Sequence, residues 1–275
     1  MNHPILQLLF FLCAAFVPSL LGALSGIGGG IIIKPVLDTF YQGTPEEINF
    51  LSGCTVLFMS FVSLLQRRLG GNRFEDRRGI ALAVGAVLGG ITGRMVFSLA
   101  ISGMGDSKGV RIAQSGILLF LTILVWLSML RKVEWTIPRN MGSHFFPAFI
   151  GCILGMISSF LGIGGGPINI MVLSLFLGMD IKTAGLYSLL TIFFSQLASI
   201  GQGFISGSIP ELSLSALAVM VFGGVMGGLA GSRLLPKMKE KQVKVLFFCI
   251  LWLVIFLSGY NLLRFLFGFA GGLTL

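Results

Sequence analysis

The sequence predicts an all-helical integral membrane protein made of two inverted repeats. Each repeat would hold a glycine-broken, re-entrant helix pair followed by three transmembrane helices. Three observations carry this expectation: composition, an internal duplication, and the placement of basic residues. Of 275 residues, 55% are hydrophobic and only 11% charged, where a soluble domain carries about 25% charged residues. With a mean hydropathy of +0.96, the chain cannot cover its own surface in water. That excludes an ordinary soluble enzyme, a secreted disulfide module and a disordered chain.

The duplication is visible as a glycine block. Leu24-Ser25-Gly26-Ile27-Gly28-Gly29-Gly30 recurs as Phe160-Leu161-Gly162-Ile163-Gly164-Gly165-Gly166, 136 residues later. The same displacement carries Ser52, Thr55, Ser60 and Ser63 onto Ser188, Thr191, Gln196 and Ser199. Gly89–Gly93 then matches Gly227–Gly231 at a displacement of 138. Three blocks in the same order define a first repeat over 1–135 and a second over 136–275.

In the first repeat the apolar stretches run over 5–41, 46–66, 79–101 and 110–130; in the second, over 144–178, 182–205, 211–234 and 243–267. The first stretch of each repeat exceeds the roughly 20 residues of one span, and the glycine block interrupts it. Residues 1–25 resemble a signal peptide, but they have a counterpart in the second repeat and are expected to stay in the mature protein.

The chain's net charge of +9 is collected in short loops, so it reads as cytoplasmic anchoring and not as a nucleic-acid surface. The basic loops hold Arg67, Arg68, Arg73, Arg77 and Arg78, then Arg131, Lys132 and Arg139, then Lys237, Lys239, Lys241 and Lys244. All three share one side of the membrane only if each glycine-broken stretch enters and returns on the same side. Each half then crosses an odd number of times, which inverts the second half relative to the first, as in secondary transporters.

The candidate chemistry lies at the breaks. Non-helical backbone at membrane depth is tolerated only against protein or a water-filled cavity. A helix restarting there offers free N–H groups and a partial positive charge to an anion. Substrate contacts are therefore expected from Ser25, Gly28, Gly29 and Gly30, and from Gly164, Gly165, Gly166 and Asn169. No Lys-Ser/Thr follows the glycines, so the block is not a phosphate-binding P-loop. Thr55, Thr191 and Gln196 lie on hydroxyl-rich helix faces, and Gln196 is the side chain least able to satisfy itself on its own backbone. Lys34 would either pair with Asp38, four residues on, or approach the anion. Arg94 and Arg233 would hold substrate charge or anchor helix carbonyls. Cys13, Cys54, Cys152 and Cys249 show no CxxC spacing, and His3 and His144 stand alone. No metal site, cofactor or catalytic residue is expected.

The paired Gly-Ile-Gly-Gly-Gly blocks, each opening a half of four hydrophobic stretches, resemble the TauE/SafE sulfite exporter family of membrane permeases over almost the whole chain. The resemblance implies secondary transport of a small sulfur-containing anion, such as sulfite or an organosulfonate, across the bacterial inner membrane by a multi-pass protein. A proton or sodium ion is the expected coupling partner. The residues also admit a passive anion channel or a membrane subunit supporting a partner protein. In the first half Ile31 stands where the second has Pro167, so the two tips need not contribute equally.

Overall fold

The structure, a computed structural model, describes residues 4–70, 76–104, 107–130 and 145–268. It is all-helical, with no strand among the described residues. Five helices occupy the first half: α1 (Pro4–Ser25), α2 (Gly30–Phe40), α3 (Pro45–Leu69), α4 (Asp76–Met104) and α5 (Ser107–Leu130). The second half holds α6 (Phe145–Leu161), α7 (Gly166–Leu177), α8 (Ile181–Ile205), α9 (Leu214–Leu234) and α10 (Glu240–Phe267). Among the described residues, seven helices are long and apolar enough to cross a membrane: α1, α3, α4, α5, α8, α9 and α10. The basic second loop, Arg73 of the first, His3 and His144 lie outside the described residues.

Local chemistry sets the helix ends. The Thr44 hydroxyl accepts from the Glu47 N–H at the start of α3, Pro45 occupies its first turn, and Arg67 and Arg68 fall in its last. This order of charges complements the helix dipole. Asp180 caps α8 by accepting from the N–H groups of Lys182 and Thr183. Partial burial works to raise this carboxyl, but the hydrogen bonds from Thr183 and Lys182 outweigh it and hold it below the ordinary aspartate value.

Both glycine blocks break their helices, and the first break reverses the chain. Phe40, at the end of α2, packs on Phe10, near the start of α1, with ring centroids 6.3 Å apart. Tyr41 packs on Phe11 at 5.1 Å. A Cβ on Gly29 would lie 2.8 Å from the Cα of Ser19, so α2 leaves the break beside the last turns of α1 and runs back along it. The second break opens with a Schellman motif. Gly162, at φ +66°, donates to the Ser159 carbonyl, and Ile163 donates to that of Ser158. α2 and α7, with 11 and 12 residues, reach only about 16–18 Å. Neither can cross a hydrocarbon core of about 30 Å.

The closest interfaces run between the halves. Gly85, Gly89 and Gly93 of α4 press against the carbonyls of Ala148, Cys152 and Met156 on α6. Gly223, Gly227 and Gly231 of α9 press in the same way against those of Leu12, Phe16 and Leu20 on α1. The glycines of the two stripes are 138 residues apart and their partners 136 apart, so one interface repeats the other residue for residue. Small residues spaced by four let backbones touch, which is how helices associate where no hydrophobic gain separates protein from lipid. α3 and α8 run through the middle and are the most buried spans. α1, α5 and α10 expose large apolar side chains such as Phe120, Trp252 and Phe256, as a lipid-facing shell requires.

A side chain at Gly89 would overlap the Cys152 carbonyl, which is backbone and cannot move aside. Gly89→Leu is expected to lower Tm in detergent sharply, through at least the roughly 1–3 kcal/mol of an overpacked interface. Gly259→Ala in α10 meets nothing within 4 Å and should leave Tm unchanged or raise it slightly. Thermal unfolding of both variants checks this.

Candidate functional site at the broken helices

The two breaks meet in the centre of the molecule. A Cβ on Gly30 would overlap the Ile163 carbonyl, and one on Gly166 would come within 2.8 Å of Ile27 and 3.2 Å of Ile31. The starts of α2 and α7 therefore touch. Only glycine fits this approach, and much of the backbone demands it as well. Gly28, Gly164 and Gly165 have φ of +83°, +75° and +78°, a region that costs other residues roughly 1–2 kcal/mol.

The breaks leave donors without protein acceptors. Gly28 donates to the Gly22 carbonyl and Ile163 to that of Ser158. Beyond them, the N–H groups of Gly29, Gly30, Ile31, Gly164, Gly165 and Gly166 have no hydrogen-bond partner among the described residues. All six residues are buried. Buried backbone N–H groups without partners are rare, because each forfeits about 1–3 kcal/mol. Asn169 adds a buried amide. It is fully enclosed, neither its Oδ1 nor its Nδ2 has a protein partner, and the side chain folds over Gly165 at the start of α7.

Two apolar side chains close the arrangement. Ile192 of α8 lies 2.8 Å from where a Gly28 Cβ would sit, and Val56 of α3 lies 2.9 Å from that of Gly164. Val56 and Ile192 are 136 residues apart and both fully buried. Farther along the same helices, Gly26 rests on Gly185 and Gly162 on the Asn49 side chain. Like Asn169, Asn49 is buried with both amide atoms unpartnered.

The other candidate side chains divide by where their hydrogen bonds go. Ser25, Thr55 and Thr191 are buried, but each hydroxyl donates to a carbonyl four residues back: Leu21 at 2.8 Å, Leu51 at 2.7 Å and Tyr187 at 3.0 Å. Gln196 reaches the Ser158 carbonyl at 3.4 Å, and its Oε1 lies 2.9 Å from where a Gly53 Cβ would be. Lys34 pairs with Asp38 at 3.2 Å in a pocket it shares with Gln114 and Leu161. Arg94 anchors the Ser208 carbonyl at 2.7 Å and stacks on Phe97. It also lines a depression of about 590 Å³ with Glu46, Ser98, Ser102 and Glu211. Arg233 is exposed. Arg67 donates to the Ala23 carbonyl at 2.9 Å and so neutralises the carbonyl end of α1.

Val56, Ile192, Asn49 and Ser19 escaped the sequence reading. Ser19 lies beside Gly29 with an unpartnered hydroxyl. The 136-residue displacement pairs Val56 with Ile192, but two aliphatic residues in apolar helices carry no chemical signal. Asn49, an amide in an otherwise apolar stretch, was the one readable sign.

Broken helices meeting inside a shell of long apolar spans define a multi-pass membrane protein with a polar centre. The chain belongs to the sulfite exporter TauE/SafE family, whose model matches residues 10–258. It is similar to the probable membrane transporter protein YunE of Bacillus subtilis, with 25% identity over 253 residues, 85% of this chain and 90% of that protein. It is also similar to the probable membrane transporter protein MJ0441 of Methanocaldococcus jannaschii, with 26% identity over 263 residues, 90% of this chain and 93% of that protein. No solved structure matches the chain significantly. Membership makes the protein a multi-pass membrane transporter and not an enzyme.

Asn169→Leu removes a buried donor and acceptor that fold stability does not use. Relief of that desolvation, roughly 1–3 kcal/mol, should leave Tm at or above the wild-type value. A large fall in Tm would show that the amide is paired within the protein.

Proposed function

We propose that the protein is a secondary transporter that carries a small oxidised sulfur anion, such as sulfite or an organosulfonate, by alternating access across the bacterial inner membrane. The carrying observation is the pair of touching helix N-termini. Their unpaired N–H groups at Gly29, Gly30, Ile31, Gly164, Gly165 and Gly166, with the Asn169 amide, offer several donors and no fixed charge. An anion with three oxygens can accept from both tips at once, and the two helix dipoles favour it further. Neutral donors bind without the strong attraction that would hinder release.

The repeat supports alternating access. The first break rests on α9 through α1, the second on α4 through α6, and the central α3 and α8 pack on both where they meet. Interfaces equivalent under exchange of the halves support an inverted pair in which one unit rocks against the other. The inner leaflet would then receive the loops with Arg67 and Arg68 and with Lys237 and Lys239. The outer would receive Glu46, Glu47 and Glu211. The close packing of Val56 and Ile192 on both breaks supports an occluded carrier over a passive channel.

Anion flux into proteoliposomes tests this reading. Selective uptake of sulfite, thiosulfate or a sulfonate over a carboxylate is expected. Uptake should fall at least about tenfold in Gly165→Leu, which loses the left-handed backbone, and in Asn169→Leu, which loses only one donor of about 1.5 kcal/mol. Unchanged flux in both variants would contradict the site, and conductance without saturation would favour a channel.

A further inference from the structure

α2 carries a second, separate constellation. Lys34 Nζ lies 3.2 Å from Asp38 Oδ2, and Arg111 of α5 reaches Asp38 Oδ1 at 3.6 Å. The Lys34 and Asp38 side chains are 3% and 6% exposed, and that of Arg111 14%. Other charges near α2 are committed elsewhere. Arg264 of α10 donates to the carbonyls of Asp38 and Thr39, and Glu47 of α3 accepts from Tyr41 at 2.5 Å. α1 carries no charged side chain, and its one thiol, Cys13, is exposed. Lys34 shares its pocket with Gln114 and Ser258, whose Oε1 and Oγ have no protein partner.

The charges do not balance. One carboxylate faces two cations, and a guanidinium keeps its proton. Lys34 is the hydrogen-bonded partner of Asp38, and Arg111, which also donates to the Gly43 carbonyl, adds a second positive charge beside it; with Lys34 protonated the trio therefore carries one net positive charge in a poorly solvated place. A lysine amine, unlike arginine, can give that proton up. Lys34 also stands one turn beyond Gly30, about 6 Å along the helix whose tip is half of the anion site. An anion on the tips offsets the surplus charge across low-dielectric protein. Anion and proton then each favour the binding of the other, by the same factor.

We infer that Lys34 is a proton-coupling site: its neutral amine takes up one proton for each anion bound at the glycine tips and releases it with the anion. This rests on the anion reading of the tips. The 136-residue displacement maps Lys34 and Asp38 onto Ile170 and Ser174, so the second half adds no equivalent proton site, and the stoichiometry is one proton to one anion.

The test uses methanesulfonate, thiosulfate and sulfate, whose charges stay constant across the neutral range, so that only the protein titrates. In wild-type proteoliposomes, an inward proton gradient should drive accumulation of the transported anion. Its Kd should weaken with rising pH by up to about tenfold per unit, the limit for one linked proton. Lys34→Arg preserves the pair with Asp38 but cannot shed its proton. It should keep one-for-one anion exchange, lose the gradient-driven accumulation, and bind with a flat pH profile. Lys34→Met should likewise lose the coupling. Coupling retained in Lys34→Arg, or a wild-type Kd independent of pH, would overturn the proposal while leaving the tip site standing. Absence of exchange for all three anions in folded wild-type protein would overturn the anion reading, and this proposal with it.

Discussion

A backbone N–H buried away from water must find an acceptor, and the bilayer supplies none. Most of this structure is the ordinary answer, with each span closing its own hydrogen bonds. The two glycine blocks depart from it. They stop a helix, turn the chain through left-handed conformations, and restart a helix whose first donors remain unmatched. That departure is held at the centre, where both breaks share it and where α3 and α8 seal it from lipid. The rest of the architecture keeps those two ends together and dry.

Two kinds of contact do this. The glycine stripes of α4 and α9 lock each break's long helix to the opposite half, so neither break can be displaced without moving a helix of the other repeat. The far end of α2 is fixed differently. Asn261 donates to the Pro35 carbonyl and accepts from Thr39, while Arg264 holds the last carbonyls. One end of the short helix is thus anchored by polar side chains, while its N-terminus meets its counterpart only through glycine and isoleucine. A contact with few directional bonds can be made and broken, as a two-state element needs.

The helices were legible because their signals are local. Apolar runs of spanning length, glycine at the breaks, Thr44 and Asp180 as caps, and arginines closing α3 all act within a few residues. The duplication made the breaks conspicuous, and the family followed from them. The surroundings of the breaks were harder to read, because they depend on partners far along the chain. No sequence pattern says that Ile192 packs on Gly28 or that Asn49 lies against Gly162. The hydroxyl stripe shows the converse. Thr55 and Thr191 have the spacing of a polar face, yet their hydroxyls return to their own helices, which spacing alone cannot distinguish from donors facing a ligand. Lys34 is intermediate, because its pairing with Asp38 is visible at four residues, whereas the second cation, Arg111, comes from another helix.

The claim that one anion is shared between two helix tips can be examined directly. Selenite has the shape and charge of sulfite and scatters anomalously, so an anomalous difference map of crystals grown with it would locate the ion. A peak is expected within hydrogen-bond reach, about 3 Å, of donors from both Gly29–Ile31 and Gly164–Gly166. A peak confined to the depression beside Arg94, with none at the tips, would contradict the claim.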